Sequence, residues 1–289
     1  CIQILSRRTK NNPVLIGEPG GWQESLWLLH AGCVRCNQKE KSNVALGLDA
    51  KVAINSSMNL DLTLNPDFSQ VEVDVQQTNL DRFELFFPER RQFFIENGDL
   101  FNNFGYNNLR PFFSRRIGLQ NKIVGGARLS GKLNKNWRLG VLNMQMQANE
   151  NETTGTNFAV FALQRKVFQR SNIGVILVNR ERFGDATTLA NRNIGVEYNL
   201  ASANNFWRGK VFYLNTLSAT KTNKDQLLAA DIQYTNKNIT YGMKWEDVGN
   251  QVNAETGFVP RTGYKRLNPG AGYLFFPKSG KVLSHGPAL

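Results

Sequence analysis

Four carboxylates fall within one stretch of this 289-residue chain: Glu84, Glu89, Glu96 and Asp99. Paired carboxylates at a suitable separation are what glycoside hydrolysis requires, one giving a proton and the other acting as base or nucleophile. Arg90, Arg91, Arg115 and Arg116 lie beside them. These arginines are candidate binding residues for a ligand. They are also the natural partners for neutralising the carboxylates, which is the structural alternative to catalysis. A second group of hard oxygen donors, Asn65, Asp67, Glu72 and Asp74, has the chemistry to hold calcium. Its spacing matches no calcium loop, so turn-forming chemistry is the competing reading. A Ser-His-Asp triad is not expected, because from residue 44 onward the one histidine is His285, in a Gly/Pro-rich tail.

Two N-terminal motifs bear on cofactors. The run "GEPGGWQES" begins like a phosphate-binding loop at Gly17. The second glycine position then holds Trp22, the lysine position Gln23 and the hydroxyl position Glu24. The indole blocks close backbone approach, Gln brings no charge, and Glu repels phosphate, so no nucleotide site is expected. The three cysteines are Cys1, Cys33 and Cys36, and "CVRC" has metal-ligand spacing. Zinc needs two further ligands and only His30 is near, so no metal is expected there. No cofactor is expected.

The 35 Lys and Arg against 23 Asp and Glu give a net charge of +12. No basic run reaches five residues, so the excess does not point to nucleic acid as a partner. Hydrophobic residues at 41% and charged residues at 20% make a foldable chain. The body beyond Cys36 has no cysteine, which suits an oxidising compartment such as a bacterial envelope. No run of about 18 apolar residues is present. Membrane insertion would therefore require a β-barrel.

The elements that would position the carboxylates read as strands. "SMNLDLTLN" alternates Met58, Leu60, Leu62 and Leu64 against Asn59, Asp61, Thr63 and Asn65. The same two-residue period places Ile194, Val196, Tyr198 and Leu200 opposite Glu197 and Asn199. It recurs at Leu228, Ala230, Ile232 and Tyr234, and again at Ile239, Tyr241, Met243 and Trp245. Short polar turns are expected at 134–136, 169–172 and 236–238, with asparagine tolerating positive φ. Longer connections fall at 147–156, 181–192 and 219–225. Tight turns at one end and long loops at the other predict an all-β, antiparallel up-and-down architecture, a partial outer-membrane-type β-barrel. Polar strand faces suit a hydrated lumen, and Tyr234 and Trp245 at strand ends suit an interfacial girdle. A soluble β-sandwich binding module is the alternative.

Residues 65–119 do not alternate. They interleave charges with three Phe-Phe pairs, too charged for a lipid-facing strand and too aromatic for a solvated loop. The expected place is inside the lumen or against the mouth, as an inward-folded plug with ion pairs satisfying buried charges.

"NPDFSQVEVD", "FELFFPERRQFFIENGDLF", "FFSRRIGL" and "GGARLSGK" resemble a family of Gram-negative envelope proteins. In that family a carbohydrate-binding-like domain of family-nine type precedes a conserved domain of unknown function. Members carry labels such as membrane-associated hydrolase or carbohydrate binding. The resemblance covers residues 44–289. It implies outer-membrane localisation, contact with outer-membrane lipid, a glycan ligand and an upstream carbohydrate-binding-like domain. It supplies no catalytic residues. Residues 2–20 resemble the lead-in to the first nucleotide loop of Clp-type AAA+ unfoldases and break off after Gly20. The expected organisation is thus a foreign N-terminal segment, 1–43, of fusion or frameshift type, and an incomplete barrel domain, 44–289, with 65–119 as plug. "FFPKSGKVLSHGPAL" does not resemble a closing barrel strand, which predicts a barrel fragment with open edges. The function expected is glycan binding or uptake without catalysis. The alternative is a membrane-associated glycan hydrolase using the carboxylates of 84–99.

Overall fold

The computed structural model describes residues 28–34, 45–66, 78–80, 82–119, 121–148, 155–182, 190–217, 225–277 and 283–288. For 28–34, 45 and 46 it describes the backbone alone. Among the described residues twelve strands form one antiparallel sheet whose spatial order is the chain order, β1 to β12. They are β1 (Leu28–Val34), β2 (Ala45–Asn55), β3 (Met58–Leu64), β4 (Ile123–Lys132), β5 (Trp137–Met146) and β6 (Thr156–Val167). Then come β7 (Ser171–Arg182), β8 (Ala190–Ala201), β9 (Trp207–Leu217), β10 (Gln226–Thr235), β11 (Ile239–Val248) and β12 (Tyr264–Tyr273). A β-sandwich calls for two packed sheets; these strands form one. Among the described residues no helix is long and apolar enough to cross a membrane.

Every strand pairs with its chain neighbours, so the connections alternate between the two ends of the sheet. At one end β4–β5, β6–β7, β8–β9 and β10–β11 are joined by turns of a few residues. The expected turns at 134–136 and 236–238 are there, and the β6–β7 turn occupies 168–170, with Asn172 already in β7. Their asparagines work through the side chain. Asn134 Oδ1 accepts from the backbone N–H of Asn136 and Trp137, and Asn236 Oδ1 accepts from Asn238 and Ile239. Positive φ is confined to Phe168 and Asn205 among these turns, so the expected left-handed role of Asn134 and Asn236 is replaced by side-chain acceptance.

Alternation then decides the faces. Along β8, Asn191, Asn193 and Glu197 are buried while Ile194 and Val196 are exposed. Along β3, Asp61 and Thr63 are buried while Leu64 is exposed. The apolar sides of β3 and β8 thus face outward. Besides the β11–β12 connection, whose Asn253 and Glu255 reach Asn191, Thr216 and Arg180, the inward side meets the segment 84–117, which carries two short helices, α1 (Gln92–Ile95) and α2 (Asp99–Asn102). That segment touches β2 through Lys51, β4 through Ser130, β8 through Glu197 and β10 through Asp231. Its reach across so many strands follows from the sheet curling around it, as long antiparallel sheets twist and curl. Phe94, Leu100, Phe101, Phe104, Phe112 and Ile117 pack from the segment onto Leu142, Met144, Val160 and Ile176 of the concave face. A second cluster joins Leu109 to Phe212, Leu214, Leu227 and Val248. Apolar side chains thus pack between the segment and much of the concave face.

Candidate functional site

Glycines on the wall let the segment sit down. A Cβ at Gly140 would lie 2.6 Å from the Phe101 ring, and one at Gly174 would lie 2.8 Å from Phe104. Two inward-facing wall positions thus form dimples that receive two phenylalanines. Gly105, at φ +75, makes the bend between α2 and Tyr106, where a Cβ would meet Leu109 O at 2.0 Å.

All four candidate carboxylates have cationic partners. Glu84 pairs with Arg116 at 2.5 Å. Glu89 receives the Arg91 guanidinium on both oxygens, at 2.8 and 2.7 Å, and the Ser114 hydroxyl at 2.7 Å. Glu96 meets Lys51, with Arg128 3.7 Å away, and accepts from Gln92 at 3.1 Å. Asp99 pairs with Arg138 of β5 at 2.7 Å. Burial by itself would raise the Glu89 carboxyl. The hydrogen bonds and charge of Arg91, with the Ser114 hydroxyl, outweigh it and hold Glu89 below its ordinary value of 4.5. Burial likewise works against Glu96, and Lys51, Gln92 and Arg128 together hold it low. A general acid for glycoside cleavage needs a raised carboxyl pKa, and these two environments do the reverse.

The candidate binding arginines are engaged within the fold. Arg91 donates to Ile117 O at 2.6 Å and Ser114 O at 2.8 Å, and stacks over Phe94 at 4.3 Å. Arg115 donates to Pro88 O at 2.8 Å, Arg116 also reaches Gly257 O, and the Arg90 backbone N–H donates to Glu89. Asp67, Glu72 and Asp74 lie outside the described residues, as do Cys1, Cys36 and the loop positions Gly17, Trp22, Gln23 and Glu24. Asn65 takes a positive φ and donates its backbone N–H to Val124 O. His30 and Cys33 lie on β1, where the backbone alone is described. Among the described residues no group of three or more His, Cys, Asp or Glu is placed to hold a metal ion.

The wall contributes charges of its own. Arg128, 2% exposed, pairs with Asp61 at 2.6 Å and donates to Phe93 O. Below α2 a polar belt crosses the concave face. Gln164 donates to Asn172, Asn199 donates to Asn172 and Glu197, and Glu197 accepts from Lys210 and the Gly105 N–H. The Tyr106 hydroxyl donates to Asp231 at 2.7 Å, and Lys244 sits 4.3 Å over its ring. Burial first, then the Asp231 hydrogen bond and charge, push the Tyr106 hydroxyl well above its ordinary value, so it stays protonated. The signal available in sequence was the charged residue inside an alternating strand: Asp61, Glu197 and Asp231 each stand on a face otherwise built of uncharged residues, and Lys244 shares its face with Glu246.

Two cavities flank the segment. One of about 390 Å³ opens at the long-loop end among Arg116, Thr156, Phe158, Arg180 and Glu255. Its arginines are paired, Arg180 with Glu255 and Arg116 with Glu84. The other, about 560 Å³, lies toward the short turns below Tyr106, among Asp231, Gln233, Thr240, Lys244 and Asn268. The arrangement offers ion pairs and hydrogen bonds that fix a filling segment inside a curved wall.

Comparison with known proteins gives partial matches of two kinds. Chaperone protein ClpB of Mycobacterium bovis (strain ATCC BAA-935 / AF2122/97) is 47% identical over 57 residues, 18% of this chain and 7% of that protein. ClpB of Mycobacterium leprae (strain TN) matches to the same extent, and ClpB 2 of Nostoc sp. (strain PCC 7120 / SAG 25.82 / UTEX 2576) is 46% identical over 57 residues. The chain spans about 7% of the length of the curated relatives it matches. No solved structure matches. The model of a domain of unknown function, DUF5916, matches residues 29–125, a stretch that includes β2, β3 and the whole filling segment.

Proposed function

We propose that this chain forms wall strands and plug of an outer-membrane β-barrel in a Gram-negative envelope protein that handles glycan. The observation that carries the reading is the inversion of the strand faces. Ile173, Leu177, Ile194, Val196, Val211, Ile232, Tyr241 and Met243 are 39–49% exposed on the outward face of β7–β11. Asn193, Glu197 and Glu246 are buried on the inward face of the same region. In water an apolar surface of this extent is a liability; against lipid it is what a barrel wall requires. The alternation of short turns and long loops supports the same reading. The filling segment acts as a structural plug, its carboxylates holding it to the wall rather than cleaving a substrate. The glycan link and the upstream carbohydrate-binding-like domain rest on the family resemblance of residues 44–289. Outer-membrane lipid is the partner of the outward face.

Heat-modifiable mobility tests the barrel. The full-length protein, folded in detergent, is run unheated and heated on a denaturing gel. The expected result is a mobility shift on heating; a single unchanged mobility contradicts the barrel.

A further inference from the structure

The two ends of the sheet differ in charge. At the short-turn end Lys132 and Lys135 flank the β4–β5 turn, Arg165, Lys166 and Arg170 the β6–β7 turn, and Lys237 sits in the β10–β11 turn. All six are exposed, and none makes an ion pair among the described residues. The segments 132–138, 164–172, 201–207 and 235–239 contain no Asp or Glu. The opposite end carries Glu84, Glu89 and Glu255, each already paired, and the one plug carboxylate that reaches the short-turn end, Asp99, is neutralised by Arg138. Six unpaired cations at one rim make up half of the net charge of +12.

Aromatic side chains lie at the same level. Trp207 and Tyr234 are 5.1 Å apart, Tyr234 stacks on Tyr241 at 5.1 Å, and Arg165 stacks over Trp137 at 5.1 Å. Phe168, 85% exposed, projects from the β6–β7 turn. Amphipathic rings beside cations are the composition of a membrane–water interface. The cations are not gathered into a patch that one molecule would cover. From the β4–β5 turn to the β10–β11 turn is six strand spacings, roughly 29 Å along the sheet. A layer of headgroups surrounding the wall reaches all of them at once.

We propose that this rim docks the anionic phospholipid headgroups of the leaflet that the short turns meet. The proposal rests on the membrane-wall reading above, and short turns of such barrels face the periplasmic leaflet. Cations near an anionic headgroup layer gain favourable electrostatic energy, which falls off within a Debye length, so salt weakens the preference.

The test uses the full chain with Trp22, Trp27 and Trp245 replaced by Phe, leaving Trp137 and Trp207 as reporters at the rim. The protein is placed in phosphatidylcholine vesicles holding a small, equal mole fraction of brominated phosphatidylglycerol or brominated phosphatidylcholine. The expected result is about three-fold greater quenching by the brominated phosphatidylglycerol. Half-molar salt, or the joint substitution K132Q, K135Q, R165Q, K166Q, R170Q and K237Q, should bring the two lipids level. Heat-modifiable mobility of that variant shows that its fold is kept. Equal quenching by the two lipids in the unsubstituted rim overturns the headgroup preference while leaving the membrane reading standing. No quenching by either lipid overturns both.

Discussion

Glu89, one of the four candidate carboxylates, is engaged within the fold. Its two oxygens are taken by Arg91 and Ser114, and Arg91 in turn ties Ile117 and Ser114 to the start of the segment. The folded-state pKa is depressed, so the pair stabilises fully above the ordinary value of 4.5, and that stability is lost as pH falls through the folded value. Glu89→Gln leaves the nearly buried Arg91 without its counter-charge and should cost about 3 kcal/mol at neutral pH. The gap between variant and unsubstituted protein should then close on acidification. Urea titration in detergent at neutral and acid pH checks this; a gap that does not change with pH contradicts the role given to the ionised pair. The partners Arg91 and Arg116 were legible as residue types beside the carboxylates. Lys51 was not: it lies 45 positions from Glu96 and comes from a strand whose inward side becomes known only once the sheet is assembled.

At the scale of elements, alternation fixed strand identity, and the turns fell where polar residues interrupt it. Period two is symmetric between inside and outside, so the polar faces could be expected inward only on the condition that the strands line a lumen. The filling segment settles it: Asp61, Glu197 and Asp231 face the partners that 84–117 brings to them or to their strand neighbours. The glycine dimples were illegible for the same reason, since Gly174 reads as an ordinary strand residue until Phe104 arrives. Gly174→Val should expel that ring. The expected outcome is a loss of about 1–3 kcal/mol and cleavage of the 84–117 region by added protease at levels that leave the unsubstituted protein intact. Protection equal to that of the unsubstituted protein would show that the ring does not depend on the dimple.

At the scale of the molecule, one sheet presents apolar side chains outward and closes its inward side over a charged, phenylalanine-rich segment. Composition shows the excess of positive charge but not its gathering at the short-turn rim, because that rim is assembled from turns far apart in the chain. The central claim is that the outward face meets lipid. Site-directed nitroxides at residues 194 and 196, in the full chain with Cys1, Cys33 and Cys36 replaced by Ser and reconstituted in phospholipid vesicles, test it most directly. The expected result is high collision rates with oxygen and low rates with a water-soluble nickel chelate at both positions, and the reverse at Lys135→Cys in the exposed turn. Nickel-chelate collisions at 194 and 196 as frequent as those at 135 would contradict it.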